Sequence, residues 1–192
     1  MITPRPLVRL ALAALALTLV PACGDDTSDG GGGSGAGGTT TPPGGGGEPA
    51  AMAGITAAHN AARAAVEPPA ASPIPPLTWS GEVAAVAQAY ADKCVFKHSG
   101  GPYGENLYAS SASSTAEAVV ESWASEKAEY DYAADSCSDE CGHYTQVVWA
   151  ASLRLGCGVT TCTTGSPFGG GEWQNWVCNY DPPGNYIGQR PY

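Results

Sequence analysis

Basic side chains are scarce in this 192-residue sequence, which has 8 Lys and Arg against 18 Asp and Glu and a formal net charge of −10. The only closely spaced lysines are Lys93 and Lys97. A protein that binds nucleic acid neutralises phosphates with clustered Lys and Arg. The composition therefore excludes nucleic acid as an expected partner, and the acidity otherwise indicates solubility, not a particular function.

The sequence also lacks an apolar run of the roughly 20 residues that a membrane-spanning helix requires. The run Leu10–Val20 follows two arginines and precedes small residues, which is the pattern of an export signal peptide. We therefore interpret 1–22 as a signal peptide. The adjoining Val20-Pro21-Ala22-Cys23 resembles a bacterial lipobox, so Cys23 is the expected lipid anchor of a membrane-anchored lipoprotein of the cell envelope. Plain secretion into the extracellular space is the alternative.

Large apolar residues are almost absent from 24–51, where glycine dominates. Such a segment cannot bury enough surface to offset its chain entropy, so residues 23–51 are predicted to form a flexible tether. The remaining residues, 52–192, suffice for one hydrophobic core and are too few for two ordinary domains. The sequence therefore predicts a single folded domain behind a signal peptide and a tether.

Cysteine, in contrast, is present in seven copies. Once Cys23 is set aside, an even number remains behind an export signal, which is typical of three disulfides. Six cysteines allow fifteen pairings. A zinc site is the weaker alternative, because no Cys/His pairs of matching spacing accompany them. The six are Cys94, Cys137, Cys141, Cys157, Cys162 and Cys178.

The spacing of apolar residues predicts three helices. The first covers Met52–Val66 and carries His59 on its inner stripe. The second begins after Ser80, a predicted N-cap. The third opens with Ser114 and Glu117 in a capping box. The inner face of the second helix is predicted to carry Val83, Val86 or Ala87, Tyr90 and Cys94.

The third helix places a carboxylate on its apolar face. Its inner stripe runs through Val119 and Trp123 to Glu126, and an unpaired buried charge is costly. Protonated histidine is the partner that this composition offers. One of the three histidines, His143, lies in Gly142–Trp149, a segment that can anchor its apolar end in a core while presenting His143 to a cleft. Pattern alone does not decide between helix and strand for this segment.

Two late segments, Leu153–Thr161 and Glu172–Tyr180, have the composition of adjacent strands. Because helices come first and strands follow together, we expect an α+β or α/β/α layered domain with an antiparallel sheet.

Eight short motifs together resemble the CAP superfamily, which comprises cysteine-rich secretory proteins, antigen-five allergens and plant pathogenesis-related proteins of the first class. The match covers about 52–192, and its end, Pro183–Tyr192, resembles the plant branch. The order and spacing of the motifs make the resemblance specific. They are His59-Asn60-x-x-Arg63, Leu77-x-Trp79, His98-Ser99, Gly104-Glu105-Asn106-Leu107, Trp123-x-x-Glu126, Gly142 to Trp149, Leu155-Gly156-Cys157-Gly158 and Cys178-Asn179-Tyr180-Asp181-Pro182.

The resemblance implies an α+β fold, a three-layer α-β-α sandwich with a central antiparallel sheet. It also implies a cleft lined by His98, Glu105, Glu126 and His143. Three interpretations of these residues stay open. Imidazole and carboxylate donors suit zinc or another divalent cation. A glutamate and a histidine can also act as base and acid in hydrolysis, although no G-x-S-x-G or other nucleophile motif is present. The third interpretation is a hydrogen-bonded network that fixes the cleft and performs no chemistry.

The resemblance favours a non-catalytic binding module over an enzyme, because family members are linked to sterol and fatty-acid binding. The loop Asp131–Gly142 is the candidate for a flexible ligand loop, and a monomer is expected. The alternatives are a secreted metal-dependent or acid/base hydrolase, such as a peptidase, and a surface protein that recognises another macromolecule.

Three structural details also follow from the resemblance. His59 is expected to hold the first helix to its neighbours, together with Asn60 and Arg63. The segment Pro182–Tyr192 resembles one that plant relatives release as a signalling peptide; here we interpret it as a tail packed against the sheet by Tyr186, Ile187 and Tyr192. The implied disulfides are Cys94–Cys162, Cys137–Cys141 and Cys157–Cys178.

Overall fold

The computed structural model describes residues 47–192. The predicted signal peptide, Cys23 and most of the predicted tether lie outside these residues. No helix in the described part of the chain is long and apolar enough to cross a membrane. The helices are α1 (Ile55–Ala64), α2 (Gly81–Ala91), α3 (Ala116–Ser125) and α4 (Gly142–Val147), and the strands are β1 (Thr78–Trp79), β2 (Gly104–Ser110), β3 (Tyr130–Asp131), β4 (Ser136–Cys137), β5 (Arg154–Cys162) and β6 (Trp173–Asp181).

The central sheet has the strand order β1-β5-β6-β2. Strands β5 and β6 are antiparallel over their full lengths, and β2 pairs antiparallel with the other edge of β6. The two predicted strands are confirmed, each displaced by one residue. Only the two-residue β1 runs parallel to its neighbour β5. The antiparallel sheet is therefore confirmed, with this short ladder as its exception.

Helices cover both faces of the sheet, which confirms the three-layer sandwich. Helix α2 packs on one face, where Ala87 and Ala91 meet Leu107 and Val177. Helices α1, α3 and α4 pack on the opposite face and share a larger core with the sheet. Of the two alternatives predicted for the inner face of α2, Ala87 is buried and Val86 is 45% exposed. The buried residues of α2 are Val83, Ala87 and Ala91.

Two glycines of β5 allow α2 to lie close to the sheet. A Cβ atom at Gly156 would overlap the backbone of Ala84, and one at Gly158 would overlap the backbone of Gln88. Both positions point to the same face because side chains alternate along a strand. The Leu155-Gly156-Cys157-Gly158 motif therefore sets the spacing between the sheet and α2.

The helix ends differ in detail from the predictions. Helix α1 is shorter than Met52–Val66, and the Glu48 carboxylate accepts hydrogen bonds from the backbone N–H groups of Gly54 (2.9 Å) and Thr56 (2.8 Å) near its start. A residue of the predicted tether thus stabilises the first helix. The cap of α3 is Thr115 and not Ser114, because the Thr115 hydroxyl accepts the Ala118 N–H. The Ser80 cap of α2 is confirmed.

The C-terminal tail does not pack as predicted. Ile187 is fully exposed and Tyr186 is 50% exposed. Tyr192 instead stacks on Tyr132 with ring centroids 4.7 Å apart, and the Ala150 N–H donates to the Pro191 carbonyl at 2.7 Å. The tail lies against the segment between β3 and β4 and the end of α4, because its polar backbone finds hydrogen-bond partners there.

Three disulfides fasten the described chain. Cys157–Cys178 links directly opposite positions of β5 and β6, Cys94–Cys162 ties the end of α2 to the end of β5, and Cys137–Cys141 closes a short loop before α4. These are the pairs that the resemblance implies.

Candidate functional site

The first His–Glu pair joins the loop after α2 to the start of β2. The Nδ1 atom of His98 lies 2.9 Å from Oε1 of Glu105, which also accepts the Ser99 N–H at 2.8 Å. The His98 side chain is 65% exposed, whereas that of Glu105 is 7% exposed. An ionised carboxylate only accepts hydrogen bonds, so Nδ1 carries the hydrogen and Nε2 stays open to another partner.

The second pair is built on helix ends. Glu126 follows the last residue of α3, and its Oε2 accepts the backbone N–H groups of His143 (3.0 Å) and Tyr144 (3.3 Å) at the start of α4. Its Oε1 lies 2.6 Å from Nδ1 of His143. The carboxylate therefore caps α4 and orients the imidazole at the same time. The predicted histidine partner of Glu126 is present in the structure.

His143 is held on two further sides. Its ring stacks on Trp123 at 6.3 Å and 17°. Its carbonyl oxygen accepts the Asn106 side-chain amide at 3.1 Å. Because Glu105 and Asn106 are consecutive, β2 contacts His98 with one residue and His143 with the next. Both pairs are thus connected to the beginning of β2, through residues whose side chains point to opposite faces of the strand.

The third histidine belongs to neither His–Glu pair. His59 is fully buried, with Nδ1 2.7 Å from the Ile55 carbonyl and Nε2 2.8 Å from the Tyr180 hydroxyl. The carbonyl accepts, so Nδ1 donates and Nε2 accepts from Tyr180, whose oxygen in turn accepts from Asn106 at 3.0 Å. Burial lowers the pKa of His59 to about 4. His59 is thus a neutral part of the core, linked through Tyr180 and Asn106 to the backbone of His143.

The rest of the His59-Asn60-x-x-Arg63 motif also makes structural contacts. The Asn60 side chain exchanges two hydrogen bonds with the backbone of Leu77. The buried Arg63 guanidinium donates to four backbone carbonyls, and burial lowers its pKa to about 10. Those carbonyls belong to Pro75, Val147, Trp149 and Ser152.

A metal-ligating group forms around the second pair. Ligand atoms of Glu126, Glu140 and His143 lie within 4.8 Å of one another, and within residues 47–192 no comparable group includes His98 or Glu105. Glu140 was missed by sequence reasoning, since it lies in a loop with no periodicity. The signal that could have found it is its position beside Cys141, three residues before His143. One nitrogen and two carboxylates form a donor set that suits a divalent cation.

Neither cleft histidine faces a nucleophile. The Ser99 hydroxyl accepts the Gly101 N–H at 3.2 Å, and only the Ser99 backbone contacts Glu105. Over the described range, no Ser or Thr hydroxyl hydrogen-bonds the imidazole of His98 or His143. The geometry holds the histidines with carboxylates and supplies no serine for a catalytic triad.

The predicted ligand loop forms the hairpin β3–β4 and the Cys137–Cys141 loop. A cavity of about 270 Å³ lies between this hairpin, α4 and the tail. It is bordered by Tyr130, Thr145, Trp149 and Asn185 among others.

Sequence comparison identifies relatives over most of the folded part. The profile of the cysteine-rich secretory protein family, CAP, matches residues 56–180. Pathogenesis-related protein 1 of Arabidopsis thaliana is 46% identical over 138 residues, which cover 70% of this chain and 78% of that protein. The basic form of pathogenesis-related protein 1 of Nicotiana tabacum is 47% identical over 139 residues, or 70% and 71% of the two chains.

Solved structures share the fold. Venom allergen-like protein 4 of Schistosoma mansoni superposes with a TM-score of 0.62 at 25% identity and covers 76% of this chain and 95% of its own. The crystal structure of NaASP2 with Zn²⁺ gives a TM-score of 0.57 at 27% identity, covering 74% and 84%. The same layered architecture therefore occurs in a protein that was crystallised with zinc.

Proposed function

This chain belongs to the cysteine-rich secretory protein family, and on that basis we propose that it is an exported, non-catalytic binding module whose cleft histidines bind a divalent cation such as Zn²⁺. One observation carries the proposal: in both His–Glu pairs the glutamate holds Nδ1 of the histidine. Histidines that bind metals through one nitrogen are commonly oriented by a carboxylate on the other.

Glu126, Glu140 and His143 form a group that fits a cation, whereas His98 and Glu105 belong to no such group of the described residues. Nε2 of His98 and Nε2 of His143 would be the nitrogen ligands, Glu105 and Glu126 would orient them, and Glu140 would supply a further oxygen. When bound, a divalent ion of this kind acts as a Lewis acid with positions open to water or ligand. The related NaASP2, solved with Zn²⁺, supports the same assignment.

Hydrolysis is the alternative that the geometry supports less. Both carboxylates orient histidines, Glu126 also caps α4, and among residues 47–192 no Ser or Thr hydroxyl is hydrogen-bonded to either imidazole. A glutamate that already accepts three hydrogen bonds, as Glu126 does, is poorly placed to remove a proton from a substrate.

The proposal also covers the ligand class, the oligomeric state and the membrane anchor. We propose that the bound extracellular ligand is a lipid of the sterol or fatty-acid class, held away from the His–Glu pairs, and that the protein is a monomer. We also propose that Cys23 carries the lipid that anchors the protein to the membrane. Mass spectrometry of the exported protein tests the anchor: an acylated Cys23 at the mature N-terminus supports it, and an unmodified Cys23 contradicts it.

Zinc titration calorimetry at pH 7.5, where free histidine is mostly neutral, tests the metal site. We expect binding by the wild type and a loss of at least tenfold in affinity for His98→Ala and for His143→Ala. Glu121→Gln is the matched control, because Glu121 is an exposed carboxylate on α3. Absent binding, or binding that both histidine variants retain, contradicts the proposal. Zinc-dependent cleavage of peptide or ester substrates that His143→Ala abolishes would establish the hydrolase instead.

A further inference from the structure

A second concave region lies beside α2, near the first His–Glu pair. It is a cavity of about 410 Å³ between α2 and the loop 99–101, which we call the α2 groove. This volume is within the range of small-molecule sites. One wall is apolar and belongs to α2, and Val86 in that wall is 45% exposed. The groove is lined by Ala85, Val86, Ala89, Tyr90, Ser99 and Asn179, among others.

Asn179 brings a polar group without a partner into this groove. The residue is 4% exposed, and its Oδ1 is buried and accepts no hydrogen bond from the described residues. Asn175, four residues earlier on β6, also has a buried Oδ1 without a partner among the described residues, but its side-chain nitrogen donates to the Ala91 carbonyl at 3.1 Å. Asn175 thus links β6 to α2, whereas the Asn179 amide makes no side-chain hydrogen bond within residues 47–192.

Glu105 adds a second unpartnered acceptor beside it. Glu105 and Asn179 are directly opposite in the β2–β6 register, so their side chains point to the same face. Both hydrogen bonds to Glu105 use Oε1, while Oε2 is buried and has no partner in the described chain. Partial burial and then the Glu105 carboxylate raise the pKa of Tyr90 above its ordinary value, which is consistent with Glu105 facing α2.

Two buried acceptors without donors are energetically costly. Each such group loses its hydrogen bonds to water without a replacement, and native proteins contain few of them. The protein could remove the cost at Asn179 with an apolar residue of the same size, since that exchange is close to neutral. A donor that arrives from outside the protein accounts for both groups.

We propose that the α2 groove binds a small molecule with an apolar body and a hydrogen-bond-donating head, a protonated amine or a hydroxyl. The head donates to Oδ1 of Asn179 and Oε2 of Glu105, and the body lies on Ala85, Val86 and Ala89. This site shares Glu105 with the proposed metal site but uses its other oxygen, because His98 contacts Oε1. It therefore goes beyond the proposed function and does not depend on it.

One charged group opposes a cationic head. Lys93 lies at the rim with its ammonium 5.1 Å from the centre of the Tyr90 ring. Because Lys93 is exposed, solvent and salt screen its charge. A ligand with a carboxylate head would instead be attracted by Lys93 and repelled by Glu105, so probes with different heads distinguish the two cases.

The binding test uses three probes with the same chain: hexylammonium, hexanol and hexanoate. We expect chemical-shift changes at α2 and 99–101 in two-dimensional NMR with hexylammonium, hexanol or both, and none with hexanoate. Asn179→Leu should weaken binding about tenfold or more, as expected for the loss of a hydrogen bond from a charged donor. Ala89→Phe should block the groove, and Ala118→Phe, at an exposed alanine of α3, is its matched control.

A stability measurement keeps the test independent of folding defects. If Asn179 is retained for binding, Asn179→Leu should unfold at the same urea concentration as the wild type or a higher one, because it removes an unsatisfied acceptor. Four results would overturn the proposal: no probe binds at millimolar concentration, hexanoate binds as well as hexylammonium, Ala89→Phe retains binding, or Asn179→Leu is destabilised and still binds.

Discussion

The two His–Glu pairs use the same residue types in different ways. In the first pair the histidine is 65% exposed and the glutamate is almost buried at 7%. In the second pair both side chains are half-buried, at 25% for His143 and 18% for Glu126. Glu126 accepts three hydrogen bonds spread over both oxygens, whereas Glu105 accepts two on one oxygen.

This difference distinguishes a pair that supports the fold from a pair whose glutamate can still accept a hydrogen bond from a ligand. Glu126 joins α3 to α4, so the second pair cannot change without affecting two helices. Glu105 joins a strand to an exposed loop, and its second oxygen remains free of partners within the described chain. Each of the following measurements tests whether this contrast holds, beginning with the largest expected effect.

Removing the ring under the second pair should have the largest effect. Trp123 is 2% exposed, stacks on His143 and donates from Nε1 to the Leu107 carbonyl at 3.0 Å. Trp123→Ala should destabilise the protein by about 3–5 kcal/mol, the usual cost of a large buried aromatic side chain. Urea unfolding measures it. A loss below about 1 kcal/mol would show that the second pair is not supported by the core.

Acid should destabilise the protein through the buried histidine behind the second pair. The folded pKa of His59 is about 4 against an ordinary 6.5, so between these values the unfolded chain binds a proton that the folded chain does not. The stabilising contribution is complete above about pH 6.5, declines as the pH falls to about 4, and then stays constant. The total loss should be roughly 3 kcal/mol.

Urea unfolding from pH 7.5 to pH 3.5 checks this profile in the wild type and in His59→Gln. The variant should start less stable at pH 7.5, and the difference between the two proteins should narrow within this window. A difference that is independent of pH would contradict the pKa assignment, because the carboxylates titrate equally in both proteins.

Replacing each glutamate with glutamine should distinguish the two pairs by the loss in free energy of unfolding. Glu126→Gln replaces an acceptor with a donor that faces N–H groups, and should cost about 1.5–3 kcal/mol through lost charge-assisted hydrogen bonds. Glu105→Gln should change stability by less than about 0.5 kcal/mol, because its new amide can donate to Oδ1 of the opposite Asn179. Equal costs in denaturant unfolding would remove the contrast between the pairs.

The smallest effect is expected at the exposed histidine. His98→Ala removes one hydrogen bond from a side chain that is largely in solvent, so its free energy of unfolding should stay within about 0.5 kcal/mol of the wild type. Thermal unfolding checks this. Zinc affinity measured on the same sample should nevertheless fall if His98 is a ligand, and an unchanged affinity would leave His143 with Glu126 and Glu140 as the site.

Sequence reasoning reached Glu126 from the helical spacing of Val119, Trp123 and Glu126, and it required a partner for the carboxylate. The sequence alone could not show how His143, the partner of Glu126, is held in place. One carboxylate caps α4 and orients His143 only because the end of α3 meets the start of α4, and no local pattern encodes that meeting. Glu140 was missed for the same reason, since a loop residue becomes a ligand candidate through position alone.

In the fold as well, features with local sequence signals were predicted, whereas features that depend on tertiary contacts were not. Strands β5 and β6 were predicted to within one residue because their composition and flanking turns are local signals. The cap of α3 was assigned one residue early, since Ser114 and Thr115 are chemically similar and only the backbone geometry chooses between them. Ile187 was predicted to be packed but lies in solvent, because the tail follows hydrogen-bond partners near α4 and Tyr132 and not the sheet.

The sequence by itself determined the family, the layered fold and the residue types of the cleft, because these depend on spacing along the chain and on motifs that retain their order. Only the tertiary structure decided which glutamate supports the fold and which has a carboxylate oxygen without a partner in the described chain. It also decided that the Asn179 side chain points to the same face of the sheet as Glu105. Those properties depend on burial and on contacts between residues far apart in the chain, as with Glu126 and His143 across a disulfide-closed loop, or Glu105 and Asn179 across two strands.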